Sequence, residues 1–540
     1  MGKQTGKILI SLVFLSALLF SYFVPSEEKA NASVKADVQF KGKILRDVET
    51  HYYKFTTVAE GTIEVTWGQD TLGSDFIITD KHWSKIYWLG DVLPKGDYFF
   101  VVSTNPVESP DDPSIVSYDF TLSGLPFKKL PDATLPQLHV TSPQKNVNRL
   151  PAGDQTVTIE GSSNAKEVRF GIFGPDLPAE IIQSPFKQTL YFTDASPTHS
   201  AYRITAINES GNRINRNYEF IHPHIIRVEG KNMYEVSANA AAEYAKYPVN
   251  DEPEKIDTVF LANGDDPSYS LSVTPLAKIH NAPILLTTRH HLPKSIMKQI
   301  RALKPTTVVL LGSPKVISPK IVKELRLLGI KEIKRINGND PISLSEQAAK
   351  KIDENGQGFI DTAIIASSSS SENLITASAA AAVLQYPILL VEKDNIPNKI
   401  KTFIKNHPNY KRFIIIGNES SISKEVEDTI RSYNKEIQID RISGKDVYEV
   451  SANSARYFGF GITNMAIVNG DGIDAVIGSS IVSKLGGTVL LTPPDKLHSS
   501  IKAYLDEQVA KSADMLQVYM IGDPSRISDQ VYKQIRSYLK

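Results

Sequence analysis

The sequence predicts a multidomain fold: two N-terminal all-β sandwiches followed by three tandem α/β modules on parallel sheets. Three observations carry that expectation. Residues 37–223 are filled with short alternating strands and show no helical periodicity. From Arg227 onward, near-continuous apolar strands alternate with amphipathic helices, the pattern of a parallel sheet covered on both faces. That second pattern returns about every 107 residues, so the C-terminal part is an internal repeat.

Composition sets the outer bounds. A chain of 540 residues is long enough for several domains, and 41 % hydrophobic with 22 % charged residues excludes a mostly disordered one. Zero cysteines remove disulfides, thiolate zinc sites, iron–sulfur clusters and cysteine nucleophiles together. A formal net charge of zero argues against a dedicated nucleic-acid binder.

Residues 1–32 carry Lys3 and Lys7, an apolar run from Ile8 to Val24 and then Ala30-Asn31-Ala32. A basic start, an apolar core and a small-x-small site read as a secretory signal peptide. The alternative is a retained membrane anchor, since the apolar run is just long enough to span. Cleavage would leave a chain outside the cell with no stable membrane anchor. A secreted chain without cysteine fits a Gram-positive bacterium better than an animal secretory pathway.

In the first β domain, 37–125, the strand signals are Tyr52–Thr56, Thr62–Thr66, Tyr98–Val102 and Tyr118–Leu122, with turn residues such as Pro94-Lys95-Gly96-Asp97 between them. The spacing of Tyr53-x-Phe55, Gly61-Thr62, Asp75, Gly96-Asp97-Tyr98 and Tyr118-x-Phe120-x-Leu122 resembles bacterial pre-peptidase C-terminal domains. These are small jelly-roll modules that accompany secreted enzymes and surface proteins. Some such relatives hold calcium, toward which Asp75, Asp80 and Asp97 are the candidates here. Without dense Asp-x-Asp spacing, turn chemistry is the default for them and no metal site is expected. A proline-rich stretch then leads to a second block, 134–223, whose strands at 155–161, 167–174, 189–192 and 202–207 suggest an immunoglobulin-like sandwich.

The repeat block reads as three modules, 226–333, 334–439 and 440–540. In the first, strands are expected at 258–262, 283–287 and 307–312 and helices at 294–303 and 319–328, the latter with Ser318 as N-cap before Pro319. Arg227-Val-Glu-Gly230 returns as Arg335-Ile-Asn-Gly338 and Arg441-Ile-Ser-Gly444. Tyr234-Glu-Val-Ser-Ala-Asn239 returns as Tyr448-Glu-Val-Ser-Ala-Asn453. Pro283-Ile-Leu-Leu-Thr287 returns as Pro387-Ile-Leu-Leu-Val391 and Thr488-Val-Leu-Leu-Thr492. Strands ending at Gly312, Gly417 and Gly522 are each followed by an Ile-Ser helix start. These motifs together resemble the type 2 cell-wall-binding repeat, found in tandem threes on secreted proteins of Gram-positive bacteria.

The resemblance implies three modules around a pseudo-threefold axis, a monomer with an internal pseudo-trimer. It also implies that the protein is held non-covalently in the wall by anionic polymers of teichoic-acid or related type. The family implicates the Ile-Leu-Leu strand in anchoring, here Ile284, Leu285 and Leu286, then Ile388, Leu389 and Leu390, then Val489, Leu490 and Leu491. The plainer reading is a buried central strand, with ligand contacts supplied at strand carboxyl ends. Candidates at such ends are Asn263-Gly264-Asp265-Asp266 and Asn469-Gly470-Asp471-Gly472. The second module departs here, with serines from Ser367 to Ser371. Arg227, Arg335 and Arg441 suit either a polymer acid group or an intermodule salt bridge.

Charge gives further pointers. Residues 33–225 carry about −5 and 226–540 about +4. Within the first module Arg289, Lys294, Lys298, Arg301, Lys304, Lys315, Lys320, Lys323 and Arg326 are concentrated, either as a solvated face or as a polymer-facing one. Gly470-x-Gly472-x-x-Ala475 is a lone dinucleotide-like match that the other modules do not keep. Ser295-x-x-Lys298 lacks companion catalytic elements, His222, His224, His290 and His291 lack metal-ligand spacing, and no cofactor is implied. The expectation is a non-catalytic envelope protein whose β domains are payload or spacer. The alternative is a wall hydrolase or protease with its centre in the N-terminal half.

Overall fold

Alternating aromatic strands come first along the chain and build their own core. The computed structural model describes residues 33–539 except 47, 69–73, 105–114, 174–178, 194–195, 247–254, 357–359, 471 and 512–514. The signal-peptide segment 1–32 therefore lies outside the described residues. No helix among the described residues is long and apolar enough to cross a membrane. The chain divides into two compact units, one of Met1–Leu138, Asn164–Glu167 and Thr205–Arg216, the other of His139–Ser163, Val168–Ile204 and Asn217–Lys540. Residues 134–223 are thus shared between them.

In the first unit, Ile115–Ser123 pairs antiparallel with both Val38–Leu45 and Glu64–Trp67. Gly96–Thr104 pairs with Glu49–Thr57 and Ser74–Asp80 in a second sheet. Inward positions alternate along these strands, bringing Phe40 against Tyr53 at 4.5 Å and against Phe100 at 4.8 Å between ring centroids. The strand expected at 62–66 is broken at Ile63. Gly61–Thr62 pairs with Val92–Leu93, whereas Glu64–Trp67 joins Ile115–Ser123. The buried Ile63 donates its N–H to Asp91 O at the switch, at 2.9 Å.

The same unit buries an ion pair. Glu49 faces Arg216, with 7 % and 12 % of their side chains exposed, and also accepts from the N–H of Leu45 at 3.1 Å. Burial pushes the Glu49 carboxyl up, but hydrogen bonding to His51 and the Arg216 charge more than cancel it, leaving the pKa below its ordinary value. A depressed folded pKa gives stability that is fully present above the unfolded carboxylate value, about 4.3, and is lost as pH falls through the folded one. Glu49→Gln, which removes the charge partner of a buried guanidinium, is expected to cost about 3–5 kcal/mol at pH 7 and to flatten that acid limb. All three tryptophans, Trp67, Trp83 and Trp88, lie in this unit, so their emission reports its unfolding alone.

The second unit begins with the rest of the β structure. Gln155–Ser163 pairs antiparallel with Phe186–Phe192, and residues 219–221 pair in parallel with Val147–Arg149. Three four-stranded parallel sheets follow, each sandwiched by helices. The first runs in the order Ile284–Thr287, Thr258–Asn263, Thr307–Leu311, Glu332–Ile336. The second is Ile388–Val391, Thr362–Ser367, Arg412–Ile416, Gln438–Ile442. The third is Thr488–Leu491, Asn464–Val468, Gln517–Ile521, and its fourth strand is His224–Val228. Each arginine-bearing strand thus completes the sheet of the module before it, and the first of them closes the third sheet into a ring.

The helices Thr274–Ile279, Ser371–Leu384 and Gly472–Lys484 meet at the centre of that ring. Small residues allow the approach. Ser378 and Ser479 hydroxyls stand 3.0 Å apart, and Thr274 donates to the Ser378 carbonyl at 3.1 Å. Ala377, Ala380 and Ala381 are buried beside them, in one apolar core that draws on all three modules. The helices expected at 294–303 and 319–328 are Lys294–Leu303 and Pro319–Leu327. Ser318 occupies the N-cap position without a side-chain capping bond, whereas Ser528 accepts from the Val531 N–H at 3.4 Å.

Candidate functional site

In every module the Ile-Leu-Leu strand stands at the edge of its sheet rather than at the centre. Its side chains are nevertheless buried. Ile284, Leu285 and Leu286 are 3 %, 0 % and 1 % exposed, and Ile388, Leu389, Leu390, Val489, Leu490 and Leu491 lie between 0 % and 3 %. The reason is a helix laid along the open edge, Met233–Tyr244, Pro341–Gly356 or Val447–Phe458. From each, one buried serine reaches the strand. Ser237 Oγ accepts from the Leu286 N–H at 3.0 Å, Ser345 Oγ from Leu390 at 3.2 Å and Ser451 Oγ from Leu491 at 3.1 Å. A side chain thereby satisfies backbone groups that a fifth strand would otherwise pair. Helical periodicity marks these serines only as small residues on a buried stripe.

The three arginines act on backbone. Arg335 Nη1 donates to Gly312 O at 2.6 Å and Nη2 to Ile317 O at 3.0 Å. Arg441 reaches Gly417 O and Ile422 O at 3.1 and 2.9 Å, and Arg227 reaches Gly522 O and Ile527 O at 3.2 and 2.7 Å. Each guanidinium clamps the turn between the third strand and the Ile-Ser helix. In that turn the glycines hold φ of +95°, +123° and +104°, conformations that side-chain-bearing residues rarely adopt. Arg441 also pairs with Glu427 at 3.1 Å and Arg227 with the exposed Asp529 at 3.3 Å, while burial lowers the pKa of Arg335.

The carboxyl ends of the strands carry polar turns. Asn263 Oδ1 accepts from the Asp265 N–H at 3.1 Å, and Ser367 Oγ from Ser369 at 3.2 Å. Asn469 Nδ2 donates to Arg526 O at 3.4 Å. Asp471 lies outside the described residues. Where modules meet, Asn239 donates to Glu229 O at 2.7 Å and Asn453 to Ser443 O at 2.8 Å. Between the first and second modules lies a cleft of about 370 Å³, lined among others by Ser313, Asn337, Gln347 and Lys399.

The nine basic residues of the first module are all exposed, spread over the helices Lys294–Leu303 and Pro319–Leu327 and their flanking loops. Arg326 additionally donates to Ile330 O and Lys331 O, at 3.0 and 2.5 Å. His222 and His224 are buried with their rings edge to face, His224 Nε2 at 3.1 Å from His222 Nδ1 and His222 Nε2 at 2.8 Å from Gly153 O. His291 sits in a turn held by Thr288. In the first unit Asp80 is engaged by Ser84 and Asp97 by Thr56 at 2.7 Å. No cluster of three or more potential metal ligands occurs among the described residues.

Residues 227–322, 335–427 and 441–532 match the model of the cell wall binding domain 2 family, just over half of the chain. The chain is similar to the amidase enhancer of Bacillus subtilis (strain 168), 30 % identical over 306 residues, which cover 56 % of this chain and 39 % of that protein. It is also similar to the N-acetylmuramoyl-L-alanine amidase LytC of the same organism, 25 % identical over 281 residues, 52 % of this chain and 53 % of that one. The matches thus span less than two thirds of either relative. Among solved structures, Cwp6 from Clostridium difficile shares the fold with a TM-score of 0.55 at 19 % identity, over 75 % of this chain and 68 % of that one. Cwp8 from Clostridium difficile does so with a TM-score of 0.52 at 15 % identity, over 94 % and 89 %.

Proposed function

Since this chain belongs to the cell wall binding domain 2 family and is a cell-wall-associated protein, we propose that its closed ring of three modules anchors it there non-covalently by binding anionic wall polymers. The observation that carries the reading is the nine exposed cations on the first module, set in a ring whose three parts all match the family. Many weak charge contacts on one rigid body add by avidity. The buried Ile-Leu-Leu strands and the carbonyl-bound arginines support a part in shaping the modules, with polymer contact left to exposed surface. The β domains, 37–125 and 134–223, are the payload or spacer, and the protein works as a monomer with an internal pseudo-trimer.

The reading is non-catalytic. One relative is named as an enhancer of an amidase and the other as an amidase, and an accessory wall protein fits the first of these names. Full-length protein is expected to co-sediment with Gram-positive walls and to stay in the supernatant once their anionic polymers have been chemically removed. Binding that survives removal would make peptidoglycan the ligand. A lytic zone on a wall zymogram, with or without divalent metal, would make the protein a hydrolase.

A further inference from the structure

Every tryptophan of the chain stands at the surface. Trp67, Trp83 and Trp88 are 54 %, 46 % and 59 % exposed, while the cores are filled by phenylalanine, tyrosine and aliphatic side chains. Tryptophan is ordinarily well buried, so exposure of all three points to a use outside the fold. Trp83 is the most telling. It lies in the hairpin loop between Ser74–Asp80 and Ile86–Tyr87, with a φ of +60°. Its N–H donates to Asp80 O at 3.1 Å, and the Asp80 carboxylate accepts from the Ser84 N–H at 2.8 Å, which ties the loop down on both sides of it. Glycine or asparagine takes such a conformation easily, and a bulky aromatic residue takes it at a cost. Neither turn chemistry nor core packing therefore calls for tryptophan at this position.

The indole is nevertheless held in place. It meets Tyr52 edge to face, 5.7 Å between ring centroids, and the Arg213 guanidinium lies over Tyr52 at 4.3 Å. Tyr52 and Thr56 alternate onto the same face of the strand Glu49–Thr57. Thr56 in turn lines a cleft of about 590 Å³, as do Asp80, Lys81, His82, Lys95 and Asp97, and this is the size of a small-ligand site. The residue before Trp83 and a residue on the face that Trp83 packs against thus both belong to the cleft wall. Its formal charges balance, two carboxylates against two ammonium groups. Asp80 is taken up by Ser84, and Asp97 accepts from Thr56 Oγ1 at 2.7 Å while facing Lys81 at 3.6 Å. Such a lining favours neither an anion nor a cation. It sets a flat apolar ring beside exposed donors and acceptors, the complement of an uncharged sugar with one face of C–H bonds and a rim of hydroxyls.

We infer that this end of the first unit is a binding site for a chain of uncharged pyranose rings. A sugar ring stacks on the Trp83 indole, and its hydroxyls reach Lys81, Asp97 and Thr56. The site is independent of the anchoring reading, which concerns the ring of modules. Full-length protein is titrated with chitooligosaccharides and cellooligosaccharides and, separately, with polygalacturonate. Because all three tryptophans lie in this unit, their emission reports on it directly. The uncharged chains are expected to change that emission at millimolar concentration or below, and polygalacturonate to leave it as it is. By calorimetry, Trp83→Ala and Trp83→Asn are expected to weaken binding about tenfold or more, and Trp67→Ala, on the other sheet, by less than about twofold. Trp83→Asn is also expected to unfold no earlier than the wild type, since asparagine takes the left-handed conformation with less strain. Markedly earlier unfolding of that variant would make the indole structural and overturn the site. Equal loss from Trp67→Ala, undiminished binding by Trp83→Ala, or a response to polygalacturonate as large as that to the uncharged chains overturns it too. So does the lack of any response to uncharged chains, which would leave the exposed tryptophans to a protein partner.

Discussion

Replacing Ile225 and Val228 by alanine is expected to open the ring. Both side chains are buried, at 6 % and 2 % exposure, on the strand His224–Val228, which pairs residue by residue with Gln517–Ile521. Cavity formation alone costs about 2–5 kcal/mol for the isoleucine, with a further loss for the valine. The larger consequence is the exposure of an unpaired edge on the strand carrying Met520 and Ile521. Calorimetry should show the last module melting below the other two, and limited proteolysis should cut first around Glu229–Asn232. Unchanged melting would mean that the third sheet stands without its fourth strand. As a control, alanine at Ile333 and Ile336 makes cavities in the corresponding strand of the first sheet, which joins neighbours in sequence. It should destabilise without separating the melting of the modules.

Leu389→Ala is the second large effect. The residue is fully buried in the second sheet, beneath the helix that supplies Ser345. A destabilisation of about 2–5 kcal/mol is expected from the cavity, seen as a lower unfolding midpoint in urea. Wall retention should then fall only at temperatures where the variant has begun to unfold. Measuring retention and unfolding side by side on one preparation decides the matter. A variant that is fully folded yet no longer retained would place the leucine strand at the polymer after all, against the burial it shows.

Much of this architecture is legible in the sequence because burial on both faces of a parallel strand leaves an unbroken apolar run. Thr258–Asn263 and Thr307–Leu311 announce themselves that way. The strands with the arginines do not. Glu332–Ile336 alternates exposed and half-buried positions because it lies at a sheet edge. Its arginine-x-x-glycine spacing is visible as a repeat, but nothing local says that it pairs with the module before it. Edge position is equally silent for the Ile-Leu-Leu strand, whose composition suggests a centre because a helix covers its open side. The serines at 237, 345 and 451 carry no pattern beyond small size.

The closing strand also fixes an order of events. Arg227 reaches across 300 positions of sequence to bond Ile527. Contacts of such separation form late, since the entropy of closing so long a loop must be met before the ladder repays it. The first two modules complete their sheets from strands that arrive in succession, whereas the third must wait for a partner made long before. A chain threaded through an export pore from its N-terminus would therefore carry an unmatched strand, His224–Val228, until Gln517–Ile521 emerged. Until that strand docks the third sheet stays open, and the ring becomes rigid only with its arrival.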